Sequence, residues 1–132
     1  MKINYFINFI KSYYKIFFKV FYYEIFYSIK FKEIIPQIKV QNNSRRTDTV
    51  PSVYYFLHEI SKFIEKKNIK AVVDIGSGYG RVVNFISTIN NIKCYGIEYD
   101  KEVFNSAQKN KKNNVTLYCA DVFNFNFKKI KS

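Results

Sequence analysis

An α/β fold, a parallel sheet with flanking helices, is what the sequence predicts, and three observations carry that reading. The runs AVVDI (71–75), KCYGIE (93–98) and VTLYCADVF (115–123) have the length and apolar content of strands. Between them, VVNFISTI (82–89) and the polar run from Asp100 to Lys111 have the length and spacing of helices. Each helix must return the chain to a neighbouring strand, turning at Asn90-Asn91 and Asn113-Asn114, so the crossovers are right-handed and the strands parallel. A further helix over Ser52 to Lys67 precedes them, with Val53, Phe56, Leu57, Ile60, Phe63 and Ile64 at helical spacing and Pro51-Ser52 as its start signal.

The composition bounds the rest. A chain of 132 residues has the size of one ordinary domain, and 48% hydrophobic residues with only 4 Gly and 2 Pro exclude a disordered or fibrous chain. Cys94 and Cys119 make neither a disulfide framework nor a zinc site and read as reduced core thiols in a cytosol-like compartment; no metal site is expected. The net charge of +12 points toward an anionic partner. Lysine and the aromatics share AT-rich codons, however, so base bias alone can inflate that signal.

Charge and aromatics are concentrated at the front. Residues 1–46 hold 9 basic and 2 acidic groups, and no uncharged run there approaches the ~20 apolar residues of a membrane span. At helical spacing Asn4, Asn8, Lys11, Ser12, Lys15 and Lys19 share one stripe, and Phe6, Ile10, Tyr13, Phe17, Val20 and Phe21 lie opposite, which predicts a basic amphipathic helix within residues 1–35. It has neither the uninterrupted apolar run of a signal peptide nor the arginines of a transit peptide. Its apolar face fits an anionic membrane surface or the domain that follows, and a wider hydrophobic anchor with Lys19 and Glu24 snorkelling is the third option. Pro36 closes the stretch, and a polar linker (36–50) containing Gln41 to Arg46 leads to the domain at 51–132.

The most informative segment is Val72 to Val83, an apolar strand running through Gly76-Ser77-Gly78-Tyr79-Gly80 into a helix. Glycines let a ligand approach the main chain, and the helix start favours a polar guest. A dinucleotide fingerprint is GxGxxG; here the third glycine comes one residue early and Asp74 stands two residues before the first. That carboxylate repels a pyrophosphate and suits an ammonium. Glu98 ends the second strand, where it can take both hydroxyls of a ribose, and Asp121 ends the third, placed to accept from an exocyclic amine. Three acids on successive strands thus line one crevice.

The runs VVDIGSGYGRVV, YGIEYD and ADVF resemble the first three motifs of class I S-adenosylmethionine-dependent methyltransferases, over about residues 70–125. The resemblance implies a Rossmann-like fold, incomplete at about three strands, with S-adenosylmethionine as cofactor. It implies that Asp74, Gly76, Ser77, Gly78 and Gly80 hold the methionine part, Glu98 the ribose, Asp121 with Val122 the adenine, and Tyr99 the purine face. Similarity to a subfamily that methylates protein lysine favours that acceptor over a small molecule or RNA. Arg81 suits either the ligand carboxylate or, preferably, a helix-surface ion pair. His58, Tyr54 and Tyr55 read as helix-surface or packing residues.

In that family the catalytic segment follows the fourth strand, and only 11 residues follow Asp121 here, so the catalytic residues are left unassigned. A truncated product, a half completed by a separate partner chain, and a remnant whose aromatic helix covers the open sheet all fit this length. The reading is the cofactor-binding half of a cytoplasmic methyltransferase, with a peripheral membrane role for the front helix. The alternative is a non-catalytic membrane-associated or interaction protein that keeps a decayed nucleotide-binding fold.

Overall fold

The computed structural model describes residues 2–33 and 50–130, with side chains from residue 11 onward in the first stretch. Asn4, Phe6, Asn8 and Ile10 of the expected stripe therefore have no described side chains, and Pro36 and the linker residues 36–49 lie outside the described residues. The chain falls into two compact units, α1 with Val53–Phe56 and the remainder of the domain from Leu57 onward together with Ser52.

In the first unit α1 spans Lys2–Phe31. It ends at Phe31, before Pro36 is reached: Lys32 takes a left-handed conformation (φ 58°), and Glu33 N–H donates back to the Ser28 carbonyl at 2.8 Å. The shielded stripe of α1 is Val20, Tyr23, Glu24, Tyr27, Ser28 and Phe31, with Tyr27 buried against the rings of Tyr54 and Phe31. Tyr13, Phe17 and Phe21, on the face read as fitting either a membrane surface or the domain that follows, are exposed. Tyr54 sets the difference. Its amide donates to Glu24 (3.0 Å) and its hydroxyl to Glu33 just past the helix end (2.7 Å), so the stripe containing Glu24 and Tyr27 is the one drawn to it.

Helix α2 (Tyr54–Lys66) closes on Asn68 in the left-handed region (φ 53°), with Ile69 N–H returning to the Ile64 carbonyl at 3.0 Å. Its start takes a carboxylate, Glu24, on the Tyr54 amide, which suits the positive end of the helix. The expected starter Ser52 instead presents its carbonyl to Arg81 Nη1 at 2.9 Å.

The second unit then runs β1 (Ala71–Ile75), α3 (Arg81–Asn90), β2 (Lys93–Glu98), α4 (Lys101–Asn110) and β3 (Val115–Cys119), all parallel in the order β1-β2-β3. Strand β3 is shorter than the run VTLYCADVF suggests, because Asp121 caps a 3-10 turn over Val122–Asn124 and ends the extended chain. A second such turn follows at Phe127–Lys129, and Phe125 packs on Tyr118 at 5.0 Å between ring centres.

Helices α3 and α4 cover one face of the sheet. Asn84 of α3 links them, accepting from the Lys112 amide at 3.0 Å and donating to the Asn110 carbonyl at 3.5 Å. Register pairs Asp74 with Gly96 and Glu98 with Cys119, so Val72, Asp74, Cys94, Gly96, Glu98, Val115, Leu117 and Cys119 share one face. Cys94, Val115 and Leu117 join Val83, Phe85, Ile86, Val103 and Ala107 in the core. Cys119 is exposed, contrary to its reading as a core thiol, because it is the last residue of its strand and lies beyond the core. On the other face Val73 and Ile75 are exposed.

Gly96 is the tightest point of this packing. A Cβ there would lie 2.6 Å from Leu117 Cδ2, 2.7 Å from Ser77 Oγ and 2.8 Å from Ser77 Cβ. Gly96→Ala is expected to lower the unfolding free energy by about 1–3 kcal/mol in urea titrations, since either the loop bearing Ser77 or Leu117 must move.

Candidate cofactor site

The site forms where the carboxyl ends of three adjacent strands meet the loop after β1, the usual ligand crevice of an open parallel sheet. The loop is fixed by β2. Gly76 and Ser77 both donate their amides to the Ile97 carbonyl, at 2.8 and 3.1 Å, and Gly78 donates to Glu98 Oε2 at 2.8 Å. The chain turns sharply enough to do this because Gly76, Gly78 and Gly80 all take positive φ, 76°, 52° and 83°. These loop amides are committed to β2 and do not point at a ligand. The opening lies instead at Gly76, where an added Cβ would meet nothing within 4 Å.

Glu98 is half-buried and holds both sides of the crevice: Oε2 accepts from Gly78, and Oε1 accepts from the Asp100 amide at 2.8 Å. A carboxylate offers about four acceptor directions, so about two remain for a diol. Asp100, which the sequence reading passed over, is buried and caps α4 through Glu102 N–H (2.9 Å) and Val103 N–H (3.2 Å). Its signal was legible: an Asp immediately before a helical run is a capping residue.

Asp74 is half-buried on β1, and among the described residues no donor reaches its carboxylate. Burial, with the Glu98 charge adding to it, pushes its pKa up to about 6. Cys94, on the same face, is pushed up to about 12 by burial and then by the Asp74 charge, so it is an inert thiol. Asp74 is thus a carboxylate with no counter-charge against it among the described residues.

The other expected residues are distributed around these. Tyr99 follows Glu98 and is 58% exposed. Asp121 lies two residues beyond β3; Oδ1 accepts from Phe123 N–H (3.0 Å) and Oδ2 from Asn124 Nδ2 (3.3 Å), so in this structure it is a turn cap beside the half-buried Val122. Ser77 stands apart. Its hydroxymethyl group is buried against Gly96 and its amide is on Ile97, so it seats the loop and offers no polar atom outward. Arg81 is buried rather than on the helix surface, and its Nη1 donates to the Ser52 carbonyl. His58 lies half-buried on α2, its pKa lowered by burial and then by Lys62. Gly96, also missed, had a signal in being the small residue two before the strand-end acid. Among the described residues no group of three His, Cys, Asp or Glu could hold a metal ion. A depression between α2 and α3, lined by Ser61, Ile64, Asn90 and Ile92, lies at the opposite strand ends and includes none of these residues.

A glycine loop latched to the second strand, an acid on the first and an acid ending the second define the cofactor half of a class I S-adenosylmethionine-dependent methyltransferase fold. Solved structures agree on the fold. An RNA methyltransferase from Salinibacter ruber, in complex with S-adenosyl-L-homocysteine, is 24% identical with a TM-score of 0.52, the match covering 59% of this chain and 54% of that one. A Staphylococcus aureus protein assigned as a caffeoyl-CoA O-methyltransferase is 23% identical with a TM-score of 0.52, over 57% of this chain and 39% of that one. The chain therefore spans about half or less of the length of these neighbours. No curated protein sequence matches. The family described as histone methylation protein DOT1 matches residues 51–132, and the chain belongs to that family.

The buried charge on Asp74 has a consequence for stability. Its folded pKa of about 6 lies above the ordinary 3.8, so the folded state binds this proton more tightly, and the stabilisation is lost as pH rises from about 4 through about 6. Asp74→Asn is expected to stabilise the free protein by about 1–3 kcal/mol at pH ~7.5 and by much less at pH ~4, measured as the difference in urea midpoints from wild type.

Proposed function

We propose that this chain binds S-adenosylmethionine at the crevice and forms the cofactor half of a methyltransferase whose acceptor is a protein lysine. The observation that carries the binding is the pair Asp74 and Glu98: a half-buried carboxylate with no donor of its own, beside a second carboxylate with acceptor directions to spare. The free energy held in the uncompensated Asp74 is returned when a cation is placed against it, which an ammonium does and a pyrophosphate cannot. Glu98 takes the ribose hydroxyls while keeping the loop in place. Gly76 leaves room for the methionine part, Tyr99 offers a ring to the purine, and Asp121 with Val122 borders the adenine end. Gly78 and Gly80 shape the loop. When bound, the cofactor supplies an electrophilic methyl group on a sulfonium.

For the acceptor, the family description, histone methylation, supports a protein over a small molecule or RNA, and the lysine is our reading of which side chain. A lysine nucleophile must be neutral, and what this chain contributes is a fixed position for the methyl group; orientation of the two partners is the larger part of such a displacement.

Isothermal titration of the 132-residue chain tests the binding, with NADH as control. Saturable binding of S-adenosylmethionine alone is expected; a folded chain that binds neither ligand, or binds NADH, overturns the reading. Glu98→Ala is expected to weaken binding at least about tenfold, with loss of both the diol contact and the loop latch. The ligand needs Asp74 ionised, so affinity falls as pH drops through about 6, to about one-tenth at pH ~5 of its value at neutral pH. In Asp74→Asn that pH dependence disappears. The acceptor is tested separately, by methyl incorporation into core histones against free lysine and RNA.

A further inference from the structure

The described part of α1 exposes a row of large apolar side chains that its own unit does not cover. Tyr14, Phe18, Phe21, Ile25 and Ile29 are each between 46% and 67% exposed. At 3.6 residues per turn they lie within an arc of about 80° and run along four turns of the helix. They are distinct from the stripe of Val20, Tyr23 and Tyr27 that packs toward Tyr54. On one side this row is edged by Lys11 and Lys15, with Lys19 a further step round the helix, all exposed.

The two acids of residues 2–33 do not offset those charges on the open face. Glu24 accepts the Tyr54 amide and Glu33 its hydroxyl, so both are turned toward the packed side. What remains outward is a row of aromatic and aliphatic side chains edged by cations. No described helix is long and apolar enough to cross a membrane, so the row does not belong to a span.

We propose that α1 lies along an anionic membrane surface, with the Tyr14 to Ile29 row in the headgroup boundary and the lysines on the phosphates. The charges select this occupant: a second copy would bring like-charged lysine rows together, whereas anionic headgroups neutralise them. The chemistry of the row agrees, since Tyr and Phe side chains lose little by sitting where one end is apolar and the other wet.

Flotation of the full 132-residue chain with vesicles tests it. Co-flotation is expected with phosphatidylcholine vesicles containing about 30 mol% phosphatidylserine and not with phosphatidylcholine alone, and it weakens at high salt. The triple change Lys11→Gln, Lys15→Gln, Lys19→Gln is expected to reduce partition about a hundredfold, from roughly fivefold per lysine. The pair Phe18→Asp and Ile25→Asp is expected to abolish it while helix content by circular dichroism stays at the wild-type level, because both side chains are exposed. Absence of co-flotation overturns the proposal. So does loss with the lysine changes but not with the Phe18 and Ile25 changes, which marks a polyanion surface, and so does a concentration-dependent dimer that Phe18→Asp dissociates without any vesicle binding.

Discussion

The end of β2 is the constraint on which the site depends. Two of its groups, the Ile97 carbonyl and the Glu98 carboxylate, accept three consecutive amides of the glycine loop, while the second oxygen of Glu98 fixes the turn into α4. Ser77 then drops onto Gly96, where no side chain stands in its way. A single strand end therefore sets the loop, the start of α3 and the start of α4. Glu98, the residue we propose takes a ribose, is also the one that ties the loop to the turn into α4.

Asp74 shows the opposite arrangement. Where Glu98 is satisfied by amides, Asp74 is shielded from water, repelled by its neighbour and given no donor, and its carboxyl is raised accordingly. Structural carboxylates are normally paired when buried. A group that is stable only with a cation beside it favours ligand binding at the cost of the free protein, and the inertness of nearby Cys94 follows from the same charge.

The first unit runs on a different interaction. Tyr54 gives its amide and its hydroxyl to Glu24 and Glu33, and in doing so decides which face of an almost uniformly apolar helix turns inward. The consequence reaches the far side: with the acids withdrawn, α1 presents aromatics and lysines outward.

The sequence by itself determined the alternation of strands and helices, down to the bounds of β1 and β2, because apolar runs of strand length and glycine punctuation are local signals. It also placed Glu98 at the end of β2, since that strand's bounds are set by the same local signals. It overextended β3, because the capping bond from Asp121 to Phe123 competes with extension in a way hydrophobicity does not register. It placed Cys119 in the core and left Arg81 on the surface, both reversed by position in the packed unit rather than by residue type. Only the tertiary structure decided that the loop amides serve β2, that Ser77 faces Gly96 and that no donor among the described residues reaches Asp74. Each of these depends on which atoms meet across 15 or more residues of sequence, and no periodicity encodes a distance between atoms so far apart along the chain.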